Sequence, residues 1–127
     1  MKKEENLKEK FRQALTSTIK VISDDYKPSF DKKSKNLKDY NFFELDNLNS
    51  RSDFIKFRAE ADSEALKKKF SNKEIYKKYL PNNASCKSLY DIAEKIRYEI
   101  LGSKMLKGIS KNINENYIQK INLKRKD

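Results

Sequence analysis

The chain has 127 residues, with 30 Lys and Arg against 19 Asp and Glu, a net charge of +11 and a hydrophobic fraction of 36%. That is the length of one domain with one modest core. A single cysteine, Cys86, and the absence of histidine exclude an internal disulfide, a multi-cysteine metal cage and a self-contained histidine triad or zinc site.

The basic excess is almost all lysine, since arginine occurs only at Arg12, Arg51, Arg58, Arg97 and Arg125. Lysines are mixed with acidic residues, as in EENLKEK and ADSEALKKK, which reads as a solvated surface in preference to a nucleic-acid interface. No apolar run approaches the roughly 20 residues of a membrane span. The opening MKKEENLKEK is charged where a signal peptide turns apolar. The expectation is a soluble, cytoplasmic protein.

In chain order, Leu7, Phe11, Ala14, Leu15, Thr18, Ile19 and Ile22 follow steps of three and four, predicting an amphipathic helix over about 4–24 that stops ahead of Pro28. Periodicity is then lost over 26–47, where aromatic clusters flank DKKSKNLKD, and a short hairpin or irregular insertion is expected. A second helix is predicted over 52–70, with Phe54, Phe57, Ala61 and Ala65 on one face and Arg58 and Asp62 one turn apart on its edge. SNKE, Ser71 to Glu74, has the form of a capping box, so a short helix is expected over 73–80, ended by Pro81. Leu89, Ile92, Ala93, Ile96 and Ile100 mark a helix over 86–101, and Leu106, Ile109, Ile113, Tyr117 and Ile121 mark a last one over 103–121. Residues 122–127 are expected to form a loose basic tail. The fold class is mainly α: one domain over 1–127, a small bundle of about four to five helices with one non-helical insertion.

Both glycines of the chain, Gly102 and Gly108, fall in its last third. Their spacing is not that of a phosphate-binding loop, which needs four intervening residues followed by Lys and Ser or Thr. The expectation is that Gly102 lets the chain turn between the last two helices and that Gly108, inside the last helix, permits a close backbone approach.

RAEADSEALKKKF, a proline after a short spacer, and LYDIAEKIRYEILGSKMLKGISKNI together resemble the amino-terminal domain of the T subunit of aerobic cobaltochelatase, the CobT family. The resemblance is carried by Arg58, Ala61, Asp62, Ser63, Ala65, Leu66, Pro81, Asp91, Glu94, Arg97, Glu99, Gly102, Gly108 and Asn112. It is strongest over about 54–113, with a weaker echo in FRQALTSTIKVIS. Ala59 replaces a family glycine, and Ser71, Asn72 and Tyr76 stand where family members carry histidine, aspartate and histidine, so no metal or proton role is carried over there. A complete T subunit, by the same resemblance, continues through an acidic linker into a von Willebrand A-type domain. These residues are therefore expected to be an isolated or truncated amino-terminal domain.

The resemblance implies a non-catalytic assembly subunit of the ATP-dependent complex that inserts cobalt into a corrin ring, hydrogenobyrinic acid a,c-diamide, in aerobic cobalamin synthesis. It implies two partners, a AAA+ subunit that uses ATP and Mg²⁺ and a large chelatase subunit, and hence a hetero-oligomer. No catalytic, cofactor or metal residue is expected in this chain. The candidate interaction or structural residues are Arg58, Asp62, Ser63, Arg97, Glu99, Gly102, Gly108 and Asn112. Arg58 and Asp62 form either a surface i,i+4 pair or an intersubunit contact. Arg97 and Glu99 point to different flanks of their helix and are expected to pair with neighbouring helices. Asn112 either cross-links helices or faces a partner. The alternative is a lysine-rich helical module that binds nucleic acid or an acidic protein segment.

Overall fold

In a computed structural model, residues 2–23 and 50–126 are described, and the expected insertion over 26–47 lies outside them. They form five helices: α1 (Lys2–Ile22), α2 (Arg51–Phe70), α3 (Lys73–Lys78), α4 (Ala84–Met105) and α5 (Lys107–Lys126). Among the described residues there is no strand, and the fold is a small helical bundle. The basic tail expected to be loose from 122 is instead helical through Lys126.

Local signals start the helices. Ser50 caps α2, where its hydroxyl accepts from the Asp53 backbone and Asp53 accepts in turn from the Ser50 N–H at 3.1 Å, a reciprocal box that satisfies two free donors. The box expected at SNKE is not formed. Asn72 caps α3 by accepting from the N–H groups of Glu74 and Ile75, while Ser71 ends α2 and bonds across to Glu94. Asn83 caps α4 in the same way, accepting from Ser85 and Cys86.

α2 is the axis of the bundle, packed against by α1, α4 and α5. Phe57, Ala59, Ala61, Ser63, Ala65 and Leu66 are buried on it, and at about 100° per residue these positions reach nearly every side of the helix. Most are small, so three helices can crowd one rod. α1 contributes Leu15, Ile19 and Ile22, and α5 contributes Ile109 and Ile113. Phe11 meets Phe54 edge-on at 4.8 Å. Ser52 O accepts from Gln119 and Asp62 from Asn112, so α5 runs antiparallel to α2.

Neither glycine takes the role expected of it: the close approach falls to Gly102, and the turn needs no glycine. Gly102 lies inside α4 and is buried, and a Cβ there would overlap both terminal methyls of Leu66 and lie 2.8 Å from its Cγ. The break between α4 and α5 falls instead at Leu106, a single extended residue (φ −137°, ψ 127°) of a kind any side chain adopts. Gly108, in the first turn of α5, has open space where its Cβ would be.

The apolar stripe of α4 is also turned the other way. Leu89, Ile92, Ile96 and Ile100 are exposed, whereas the buried positions of this helix are Tyr98, Glu99 and Gly102.

Gly102→Ala is expected to destabilise the chain by about 1–2 kcal/mol, the cost of overpacking against Leu66 less the gain in helix propensity. Gly108→Ala is expected to be neutral or stabilising by up to about 1 kcal/mol. Urea unfolding checks both, and the opposite order would contradict this packing.

Candidate functional site

The eight residues singled out by sequence separate into groups on different sides of α2. Arg58, Asp62, Gly108 and Asn112 line an open groove of about 540 Å³ between α1 and α5, walled also by apolar side chains such as Leu15 and Ile109. Ser63 and Glu99 lie at the α2–α4 contact, Arg97 stands at the end of α2, and Gly102 packs on Leu66.

In the groove, Asp62 is buried at 4% exposure and Asn112 donates to its Oδ2 at 2.8 Å. Burial pushes the Asp62 carboxyl above its ordinary value, and the Asn112 hydrogen bond and the Arg58 charge oppose that only in part. The pair expected along the helix edge is thus split. Asp62 turns inward to tie α2 to α5, and Arg58 remains exposed at the groove. Asn112 links α5 to α2 through this bond and also lines the groove. Gly108 keeps its part of the groove free of a side chain.

On the other side, Glu99 is buried at 6% exposure, and both its oxygens are occupied: Oε1 accepts from Ser63 Oγ at 2.8 Å and Oε2 from Tyr117 Oη at 2.7 Å. This one carboxylate joins α2, α4 and α5. Burial, with help from the Glu99 hydrogen bond, pushes the Tyr117 phenol up to about 12, so it remains a donor at neutral pH. The crevice beside Glu99, lined also by Lys95 and Lys120, encloses about 20 Å³, room for little more than one water.

Arg97 faces away from Glu99, on the other flank. Its guanidinium grips Glu94 through two hydrogen bonds of 2.9 and 2.6 Å and donates to Phe70 O at 2.8 Å. It thereby satisfies one of the free carbonyls at the C-terminal end of α2. Glu94 also accepts from Ser71, and the Arg97 guanidinium holds the Glu94 carboxyl below its usual range. α3 is fastened to the same helix, with Tyr76 donating to Asp91 and Tyr90 to Tyr76 O.

Sequence reasoning missed Tyr117, Glu94 and Ser71 as parts of these networks. A tyrosine set in an isoleucine stripe, as at Tyr117, is the available signal, because a half-buried phenol seeks a partner for its hydroxyl. Ser71 carried no such mark.

A family model described as cobalamin biosynthesis protein CobT matches residues 5–127. The chain belongs to the CobT family. Membership places it in cobalamin biosynthesis and covers the first helix as well as the segment over 54–113 that carries the resemblance in the sequence. No curated protein and no solved structure matches the chain. Among the described residues of this CobT-family chain, no three His, Cys, Asp or Glu side chains are grouped to hold a metal ion, and no helix is long and apolar enough to cross a membrane.

Two outcomes test the networks. The native Asp62 keeps its proton to higher pH than the unfolded residue, whose ordinary value is 3.8. Stability therefore falls as pH rises from there until Asp62 has ionised in the folded chain, and then levels. Asp62→Asn, which keeps an acceptor for Asn112, is expected to remove that slope in urea titrations across the acid range. For Tyr117, ¹³C-tyrosine NMR is expected to show ionisation near pH 12, and Glu99→Gln is expected to lower it only in part, since burial, the larger cause, remains. A phenol titrating at 10 in the unmutated chain would contradict both the burial of Tyr117 and its Glu99 contact.

Proposed function

We propose that the chain is a non-catalytic assembly domain of the ATP-dependent cobaltochelatase, the complex that inserts cobalt into a corrin ring during aerobic cobalamin synthesis. The observation that carries this reading is where the titratable side chains of the family motif are used. Asp62 is engaged by Asn112, Glu99 by Ser63 and Tyr117, and Arg97 by Glu94 and the end of α2. Groups committed on both sides to holding helices together are poor candidates for moving protons or coordinating a metal in turnover. Membership of the CobT family supplies the pathway.

In this reading ATP and Mg²⁺ are used by a AAA+ partner, cobalt is the cargo, and corrin binding and chelation fall to a large third subunit. The domain contributes surfaces and works in the cytoplasm as part of a hetero-oligomer.

Co-purification is the test. The chain, tagged and mixed with the AAA+ and large cobaltochelatase subunits, is expected to retain at least one of them and to raise the rate of ATP-dependent cobalt insertion into hydrogenobyrinic acid a,c-diamide. Cobalt insertion by this chain alone would contradict the proposal. So would failure to retain either subunit together with tight duplex binding that falls steeply between two salt concentrations, the behaviour of a lysine-rich nucleic-acid module.

A further inference from the structure

The face of α4 that points away from the bundle carries Leu89, Ile92, Ile96 and Ile100, exposed at 68%, 56%, 48% and 50%, with the exposed Ala93 among them. Single exposed aliphatic residues are ordinary, but these share one stripe at steps of three and four, spanning about 16 Å along the helix. The side that meets α2 and α5 is the polar one, with Tyr98 and Glu99 beside Gly102. A helix oriented only by the burial of its own apolar residues would sit the other way round. The stripe is thus left for a surface that the described bundle does not provide.

The borders of the stripe say what that surface is. At 100° per residue, Lys95 and Arg97 flank Ile96 on its two sides, and Lys104 continues the Arg97 border one turn beyond Ile100; Lys95 stands 4.0 Å from Glu99 Oε1 at the domain edge but keeps a side chain 45% exposed. All the carboxylates of α4 face the domain and are occupied there: Asp91 by Tyr76, Glu94 by Arg97 and Ser71, and Glu99 by Ser63 and Tyr117. A second copy of a chain with net charge +11 would set one cationic border against another, which opposes association.

We infer that the outward face of α4 docks an amphipathic helix of a partner protein whose apolar stripe is bordered by aspartate and glutamate. A straight stripe with ridges at three and four residues fits another helix lying along it. The acidic borders would then meet Lys95 and Lys104. This inference stands on the orientation of α4 and does not rest on the chelatase reading.

The test uses the full chain and two fluorescent synthetic helices that share a leucine stripe, one bordered by glutamate and one by lysine. The glutamate-bordered helix is expected to bind roughly tenfold or more tightly than the other, with the difference shrinking as salt rises. Ile92→Ser with Ile96→Ser, at exposed positions, is expected to weaken that binding by about tenfold or more with an unchanged circular dichroism spectrum and melting temperature. Lys95→Gln with Lys104→Glu is expected to abolish the preference between the two helices. Equal binding of both, binding of neither, or binding indifferent to the serine variants would overturn the inference. So would sedimentation showing a micromolar dimer that the serine variants dissociate, since the occupant would then be a second copy. Because the probe is a peptide, failure here leaves the chelatase proposal standing, and failed co-purification there leaves this docking face standing.

Discussion

Leu66 on α2 packs directly onto Gly102 on α4, and this contact fixes which way α4 faces. Leu66 is fully buried and would collide with any Cβ at position 102, so α4 can come this close only with its glycine turned towards α2. Given 3.6 residues per turn, that choice also turns Tyr98 and Glu99 inward. It leaves Leu89, Ile92, Ile96 and Ile100 on the opposite side. The small residues of α2, Ala59, Ala61, Ser63 and Ala65, act in the same sense, because they let neighbours approach closely enough for side-chain hydrogen bonds to bridge the helices.

What holds α4 in place is therefore unusually polar. Ser63 to Glu99, Tyr117 to Glu99, Arg97 to Phe70 O and Ser71 to Glu94 supply directional contacts at fixed separations where an apolar seam would supply area alone. Buried polar groups are costly unless satisfied, and here each has a partner on another helix or at a helix end. The outcome is a helix whose ionisable residues fix its own placement while its aliphatic stripe faces outward, a division suited to a part that joins other parts.

The sequence carried much of the fold and less of the site. Steps of three and four marked the four long helices, and the second, expected over 52–70, spans Arg51–Phe70; the Ser50–Asp53 box that starts it went unread in the sequence. Periodicity tells which residues share a face but not what the face meets, and so the α4 stripe was legible while its exposure was not. The glycines were ambiguous for a similar reason. Glycine serves a turn and a close approach alike, and the turn needed none, since Leu106 makes it with ordinary extended backbone. SNKE misled because the Ser71 hydroxyl has a tertiary partner in Glu94, 23 residues away, and a local motif cannot show a distant competitor. The residues of the family resemblance share no single location, and only coordinates could separate Arg58 and Asp62 at the groove from Glu99 and Ser63 behind α2.

The central claim is the orientation of α4, polar side in and apolar side out. The most direct measurement is NMR of ¹³C-labelled isoleucine methyl groups in the chain by itself, with a soluble paramagnetic probe added. The account predicts strong relaxation enhancement at Ile92, Ile96 and Ile100 and protection at Ile109 and Ile113, which lie in the core. Protected methyls at Ile92 and Ile96 would contradict it.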